Sequence, residues 1–241
     1  MVQRMALVIG TGSGVDDAVA QALAADGHRV AVTFGETRLP EVFRVGGDLT
    51  QSGVESAFDQ AEAALGPVEI LVANPGMPRT PPAPEFNTTD FTYGVRIGLE
   101  AAFVAAGRAR AAMQRSQWGR MIFLASPSAM VDEIGPARFG AFSLNAGLIG
   151  LAESLTGELA EHNIAVNVVA PGLIEDDEQI QLKPGTSKNP MWHIPALRVG
   201  RLTEVAAVVS FLASDGAAYV NGTTLRVDGG LGVRPGVASR L

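Results

Sequence analysis

A glycine turn, a serine and a histidine carry most of the chemistry this chain could perform. Gly10-Thr11-Gly12-Ser13-Gly14 follows a short apolar run and precedes a helical stretch, and the amides of such a turn, together with a helix N-terminus, hold phosphate groups. Glycines after a first strand occur in binding and non-binding folds alike, so the turn alone names no ligand. Asp16 and Asp17 stand directly behind it. A carboxylate there is stabilising by about 0.3 to 1 kcal/mol through the helix dipole, and the same carboxylate repels a phosphate. Ser126 and Ser128 can donate hydrogen bonds, and His193, flanked by Trp192 and Ile194, is the group best suited to relay a proton. Asp132, Glu133, Arg138 and the acidic run Glu175-Asp176-Asp177-Glu178 each read singly as solvated loop residues.

Several chemistries are excluded by composition. There are no cysteines, which removes disulfides, thiolate catalysis and Cys-based metal sites together. A metal would need oxygen ligands or His28, His162 and His193, which are far apart in sequence, and no metal site is expected. A net charge of -7 and a sequence pI near 5.0 argue against nucleic acid or an anionic membrane as partner, since both need clustered Lys and Arg. The apolar run after Met1-Val2-Gln3-Arg4-Met5 is too short for a signal peptide or a membrane span, so a cytoplasmic protein is expected.

The elements that must position these groups alternate along the chain. Strands are expected at Ala6–Ile9, Arg29–Phe34, Phe43–Val45, Val68–Ala73, Met121–Ala125, Ala165–Val169 and Thr223–Val227. Between them helical periodicity runs over Val15–Ala25, Gln51–Leu65 with Thr50 as N-cap, Thr89–Gln114, Gly140–His162 and Glu204–Ser214. Consecutive βαβ units demand a parallel sheet covered on both faces, so one doubly wound, three-layer α/β domain over residues 1–241 is expected, Rossmann-like, with about seven strands. The irregular stretches Pro78–Pro84 and Glu175–Pro195 fall where such folds build their ligand crevice.

Gly10 and Gly14, Asp48, Asn74-Pro75-Gly76, Gly119-Arg120-Met121-Ile122-Phe123 leading to Ser126, Asn167 to Gly172, and Val227-Asp228-Gly229-Gly230 fall in the order and spacing of a short-chain dehydrogenase/reductase. The chain resembles that superfamily along essentially its full length. Leu23 to His28, Gly66 to Glu69 and Val208 to Ser214 make it most similar there to 3-oxoacyl-[acyl-carrier-protein] reductases.

The resemblance implies a nicotinamide site and a catalytic set of Asn, Ser, Tyr and Lys, and this chain departs from both. In the turn that holds the cofactor pyrophosphate, the family's Thr and final Gly align with Ile9 and Asp16. Phe34-Gly35-Glu36 lacks a base for a 2'-phosphate, and the family's Thr after Pro-Gly aligns with Asp176. Gly10, Gly14, Asp48 and Asn74 remain as vestigial cofactor positions, the last two on the adenine and ribose side. Of the catalytic set, Ser126 is present and the Asn aligns with Gly98. The Tyr position falls on Phe139 counting from Ser126, or on Ala141 counting back from Gly147, with Asn145 then at the Lys position. The only tyrosines are Tyr93 and Tyr219. General-acid help is worth roughly 10²- to 10⁴-fold in rate.

The expectation from these departures is a scaffold that has lost standard hydride transfer. It would use the crevice, with Ser126 and His193, for cofactor-independent chemistry on, or binding of, a carbonyl-containing acyl or polyketide-like ligand. No cofactor is expected on this reading. Two alternatives stand beside it: a non-catalytic partner of an active reductase, and an atypical NADPH-dependent 3-oxoacyl reductase with a relocated proton donor. The family's habit implies a homotetramer or dimer, or a mixed oligomer with an active paralogue.

Overall fold

The computed structural model describes residues 2–33, 41–75, 88–125, 139–175 and 194–232, with the side chains of 139–142 left aside. Seven strands form one parallel sheet: β1 (Met5–Ile9), β2 (Arg29–Val32), β3 (Val42–Arg44), β4 (Ile70–Ala73), β5 (Gly119–Leu124), β6 (Ile164–Pro171) and β7 (Thr224–Val227). Their order is β3-β2-β1-β4-β5-β6-β7. The chain winds outward from β1 through β2 to β3, then crosses back to β4 on the other side of β1. Leu7 accordingly pairs with Ala31 on one flank and Leu71 on the other. That reversal leaves a crevice beyond the carboxyl ends of β1 and β4.

The period-two alternation of each strand sorts its side chains into two cores. Met5, Leu7 and Ile9 belong to one with α2 (Gln51–Leu65), α4 (Ala101–Ser116) and α5 (Phe139–Leu159). Ala6 and Val8 belong to the other with α1 (Gly14–Ala25) and α6 (Leu202–Ala213). All five residues of β1 are buried, as a strand covered on both faces must be. Helix α2 begins where the Thr50 hydroxyl accepts from the Gly53 amide at 3.1 Å, and it ends at Gly66, whose φ of 92° suits a residue without a side chain.

The expected long helix over Thr89–Gln114 is a composite. A short α3 (Thr88–Gly94) runs into a π-helical turn, Val95–Glu100, before α4. The Ala101 amide reaches back to the Arg96 carbonyl, an i to i−5 bond that inserts one residue into the helical ladder. The helix expected to His162 ends at Leu159, and a 3₁₀ turn carries the chain to Asn163.

At the opposite end of the sheet from the crevice, the Trp118 ring lies between two guanidinium groups, Arg4 at 4.1 Å and Arg120 at 4.4 Å from its centroid. Arg120 is 1% exposed and donates to the carbonyls of Gly119 (2.8 Å), Asn163 (3.2 Å) and Ser214 (3.3 Å). The indole N–H donates to Asp215 Oδ1 at 3.0 Å.

Candidate functional site

The turn after β1 sits at the switch point and is organised around a buried carboxylate. Asp16, in the first turn of α1, has no exposed surface. Its Oδ2 accepts from the amides of Gly12 and Ser13, both at 2.9 Å, and from the Ser13 hydroxyl at 3.1 Å. Its Oδ1 accepts from the side-chain amide of Asn74, just past β4, at 2.7 Å. One side chain therefore ties the two strands that flank the crevice. Burial pushes the Asp16 carboxyl above its ordinary range, and the bonds from Asn74, Ser13 and Gly12 oppose the rise.

Gly10 has its own reason to be glycine. A Cβ there would lie 2.3 Å from the Asp16 carboxylate carbon, so the carboxylate rests directly on the turn backbone. The Gly10 amide donates to the Thr33 hydroxyl at 3.0 Å, which fixes the turn against the end of β2. Gly14 opens α1. Asp48 is exposed and accepts from the Thr50 amide at 3.0 Å and from the Thr50 hydroxyl. Those bonds, hydroxyl first, hold its carboxyl below the usual range and tie it to the start of α2.

Gly10, Gly14 and Asn74 are thus brought together around Asp16, and Asp48 serves a neighbouring helix cap. Sequence reasoning missed the Asn74 to Asp16 bond, and it missed Thr33. The Ser13-x-x-Asp16 spacing is a helix-start signal that could have shown the Asp16 to Ser13 amide contact. The Asn74 link, between residues 58 apart, has no local signature.

Ser126 and His193 lie outside the described residues, as do Phe34, Glu36 and Asp176. Their described neighbours are at the same end of the sheet. The Ala125 amide donates to the Val169 carbonyl at 2.9 Å, and the Ala196 amide donates to the Gly229 carbonyl, beyond β7, at 3.0 Å. Ile194, next to His193, is buried. Gly98 is buried within the π turn, and a Cβ there would meet Leu144 of α5 at 3.7 Å. Asn145 is fully buried on α5. Tyr93 is 56% exposed and Tyr219 fully exposed. Among the described residues no group of three or more His, Asp or Glu could hold a metal ion, and no helix is long and apolar enough to cross a membrane.

Comparison with known proteins places this geometry in context. A family model described as enoyl-(acyl carrier protein) reductase matches residues 10–232. The 3-oxoacyl-[acyl-carrier-protein] reductase MabA of Mycobacterium tuberculosis is 42% identical over 96% of this chain and 94% of its own length. The corresponding reductase FabG of Escherichia coli is 34% identical over 95% and 97%. Among solved structures, a gluconate 5-dehydrogenase from Burkholderia cenocepacia, in complex with NADP and tartrate, superposes with a TM-score of 0.85 at 26% identity, covering 98% of this chain and 97% of its own. A Thermus thermophilus protein gives 0.82 at 30% identity over 95% and 99%.

These findings correct the expectation that no cofactor is used, because a structural neighbour carries NADP and the sequence relatives are reductases by name. The physical error lies in treating Asp16 as a free charge facing the ligand. It is buried and matched to four donors. With Asp16 seated, the Gly12 and Ser13 amides are engaged, so a phosphate does not fit on them in this arrangement. The carboxylate is held by these hydrogen bonds, so a phosphate would have to displace it. It bears on how tightly the turn could hold a phosphate.

Proposed function

The chain belongs to the short-chain dehydrogenase/reductase superfamily, and we propose that it reduces 3-oxoacyl thioesters with NADPH, drawing the proton from a group other than tyrosine. The observation that carries this reading is the 42% identity to a 3-oxoacyl-[acyl-carrier-protein] reductase along nearly the whole chain. Two features support it further: the strand order reverses at β1 and β4, the switch point where a nucleotide would lie, and Ser126 stands two residues past the end of β5 in sequence.

Bound NADPH would supply the hydride to the 3-oxo carbon, and the oxygen must take up a proton. In this reading Ser126 donates a hydrogen bond to that oxygen, and His193 passes the proton in from solvent. Asn145, at the position the resemblance assigns to lysine, is neutral and buried, so it orients neighbours without supplying charge. Without a phenol, turnover falls roughly 10²- to 10⁴-fold below that of an enzyme with a placed general acid. Self-association into a dimer or tetramer through α4 and α5 belongs to the same proposal, supported by Phe103, which stands 64% exposed on α4.

The test is NADPH oxidation with a 3-oxoacyl thioester, with the 3-hydroxyacyl product identified by mass spectrometry. Slow, saturable turnover is expected. It should be abolished in Ser126→Ala and have a reduced kcat with little change of KM in His193→Gln. Absence of any 3-hydroxyacyl product from millimolar NADPH and thioester would refute the reading.

A further inference from the structure

We propose that the Asp16 carboxylate is an internal stand-in for a dinucleotide phosphate: it occupies the Gly12 and Ser13 amides in the free protein and must leave them when nucleotide binds, so Asp16 sets nucleotide affinity. The proposal rests on the NADPH reading above and adds a gate to that site.

The geometry supports occupancy rather than simple proximity. Three donors converge on Oδ2, the Gly12 amide, the Ser13 amide and the Ser13 hydroxyl, at 2.9, 2.9 and 3.1 Å. Amides at the start of a helix are the donors a phosphate oxygen would use. The carboxylate is also pressed against Gly10, where a Cβ would stand 2.3 to 2.4 Å from its atoms. It therefore fills the space through which a ligand could approach the turn backbone. The grip of Asn74 on Oδ1 at 2.7 Å holds the side chain inward. Asp17, beside it, takes no part in these contacts; its Oδ1 is buried without a hydrogen-bond partner.

A gate of this kind lowers apparent affinity by the fraction of molecules in which it stands open, so a site open in about a tenth of molecules binds about tenfold more tightly once the gate is removed. The experiment measures the NADPH dissociation constant by fluorescence titration for the wild type, Asp16→Gly, Asp16→Ala, Asp16→Asn and Asp17→Asn, with melting temperatures recorded alongside. Asp16→Gly and Asp16→Ala should bind at least about tenfold more tightly than the wild type, with Asp16→Asn between, because the amide keeps the shape and loses the charge. Asp17→Asn should change affinity by less than about threefold, since it leaves the turn occupied.

Equal, measurable affinity in the wild type and the Asp16 variants would overturn the gate and leave the NADPH reading standing. Equal tightening by Asp17→Asn would also overturn it, by showing that charge near the crevice suffices. Folded Asp16→Gly and Asp16→Ala proteins that bind no NADPH at millimolar concentration would overturn both.

Discussion

Asp16 and His28 are both buried ionisable groups, and the structure settles them in opposite ways. Asp16 surrounds its charge with donors, whereas His28 is held neutral: its Nδ1 accepts from the Arg4 amide at 3.2 Å. Burial is the main cause that pushes the His28 pKa below its ordinary 6.5, with Arg4 adding to it and Asp26, Glu69 and Asp215 opposing. Because the folded state disfavours the charged ring, this contribution to stability is fully present above pH 6.5 and is lost as pH falls through the lowered folded value. Melting temperature should therefore drop between pH 7 and pH 5, and a His28→Gln variant should show a shallower drop; equal slopes would remove His28 as the source. Such environments are invisible in sequence. His28 stands in a polar stretch after Asp26-Gly27, and only the sheet brings its neighbours near: the pairing of Arg29 with Met5 brings Arg4, and the pairing of β1 with β4 brings Glu69. The Ser13-x-x-Asp16 spacing is a local cap signal that the sequence reading passed over, whereas the contact with Asn74 depends on two strand ends meeting.

The helices divide by how local their signals are. Helix α2 has the limits its sequence announces, Gln51 and Leu65, because Thr50 and Gly66 mark its ends chemically. Thr50→Ala removes the acceptor for the Gly53 amide and a partner of Asp48, and should cost about 1 kcal/mol of stability by denaturant unfolding. A change within a few tenths would mean that water replaces the cap. The π turn ahead of α4 left no such mark. One extra residue in the ladder hardly alters an apolar pattern in which Ala101, Ala102, Ala105, Ala106 and Ala109 still fall on one buried face. Strand β4 begins at Ile70, two residues later than its apolar run suggests, although the Glu69 backbone still bonds to Met5 and Arg120 and its carboxylate reaches Arg4 (2.6 Å) and the Met5 amide (3.2 Å). Burial of Val68 supplies the apolar signal without extending the strand.

For the whole molecule, the order of strands and helices was legible because each buried strand is a short apolar run closed by a turn residue, and because alternation leaves few ways to wind them. The candidate site was legible only in part: Gly10, Gly14 and Asn74 do meet, but the buried Asp16 carboxylate that they meet around was not foreseen. The two ends of the sheet carry different duties. At the far end Trp118, Arg4, Arg120 and Asp215 join β1, β5 and the segment after α6. Replacing Arg120 by Met removes its hydrogen bonds to the Gly119, Asn163 and Ser214 carbonyls, of which the last two keep backbone donors in the Gly119 and Ala217 amides, and should cost about 2 kcal/mol in chemical denaturation, with the NADPH dissociation constant changed by no more than about twofold because sites that share no partners act independently. A large loss of affinity would mean that the ends are coupled. If they are not, the stacked tryptophan is a keel. Changes at the mouth of the sheet, the carboxylate in the glycine turn among them, then leave the hull afloat, because the ballast lies in Trp118, Arg4 and Arg120, out of reach of whatever the crevice holds.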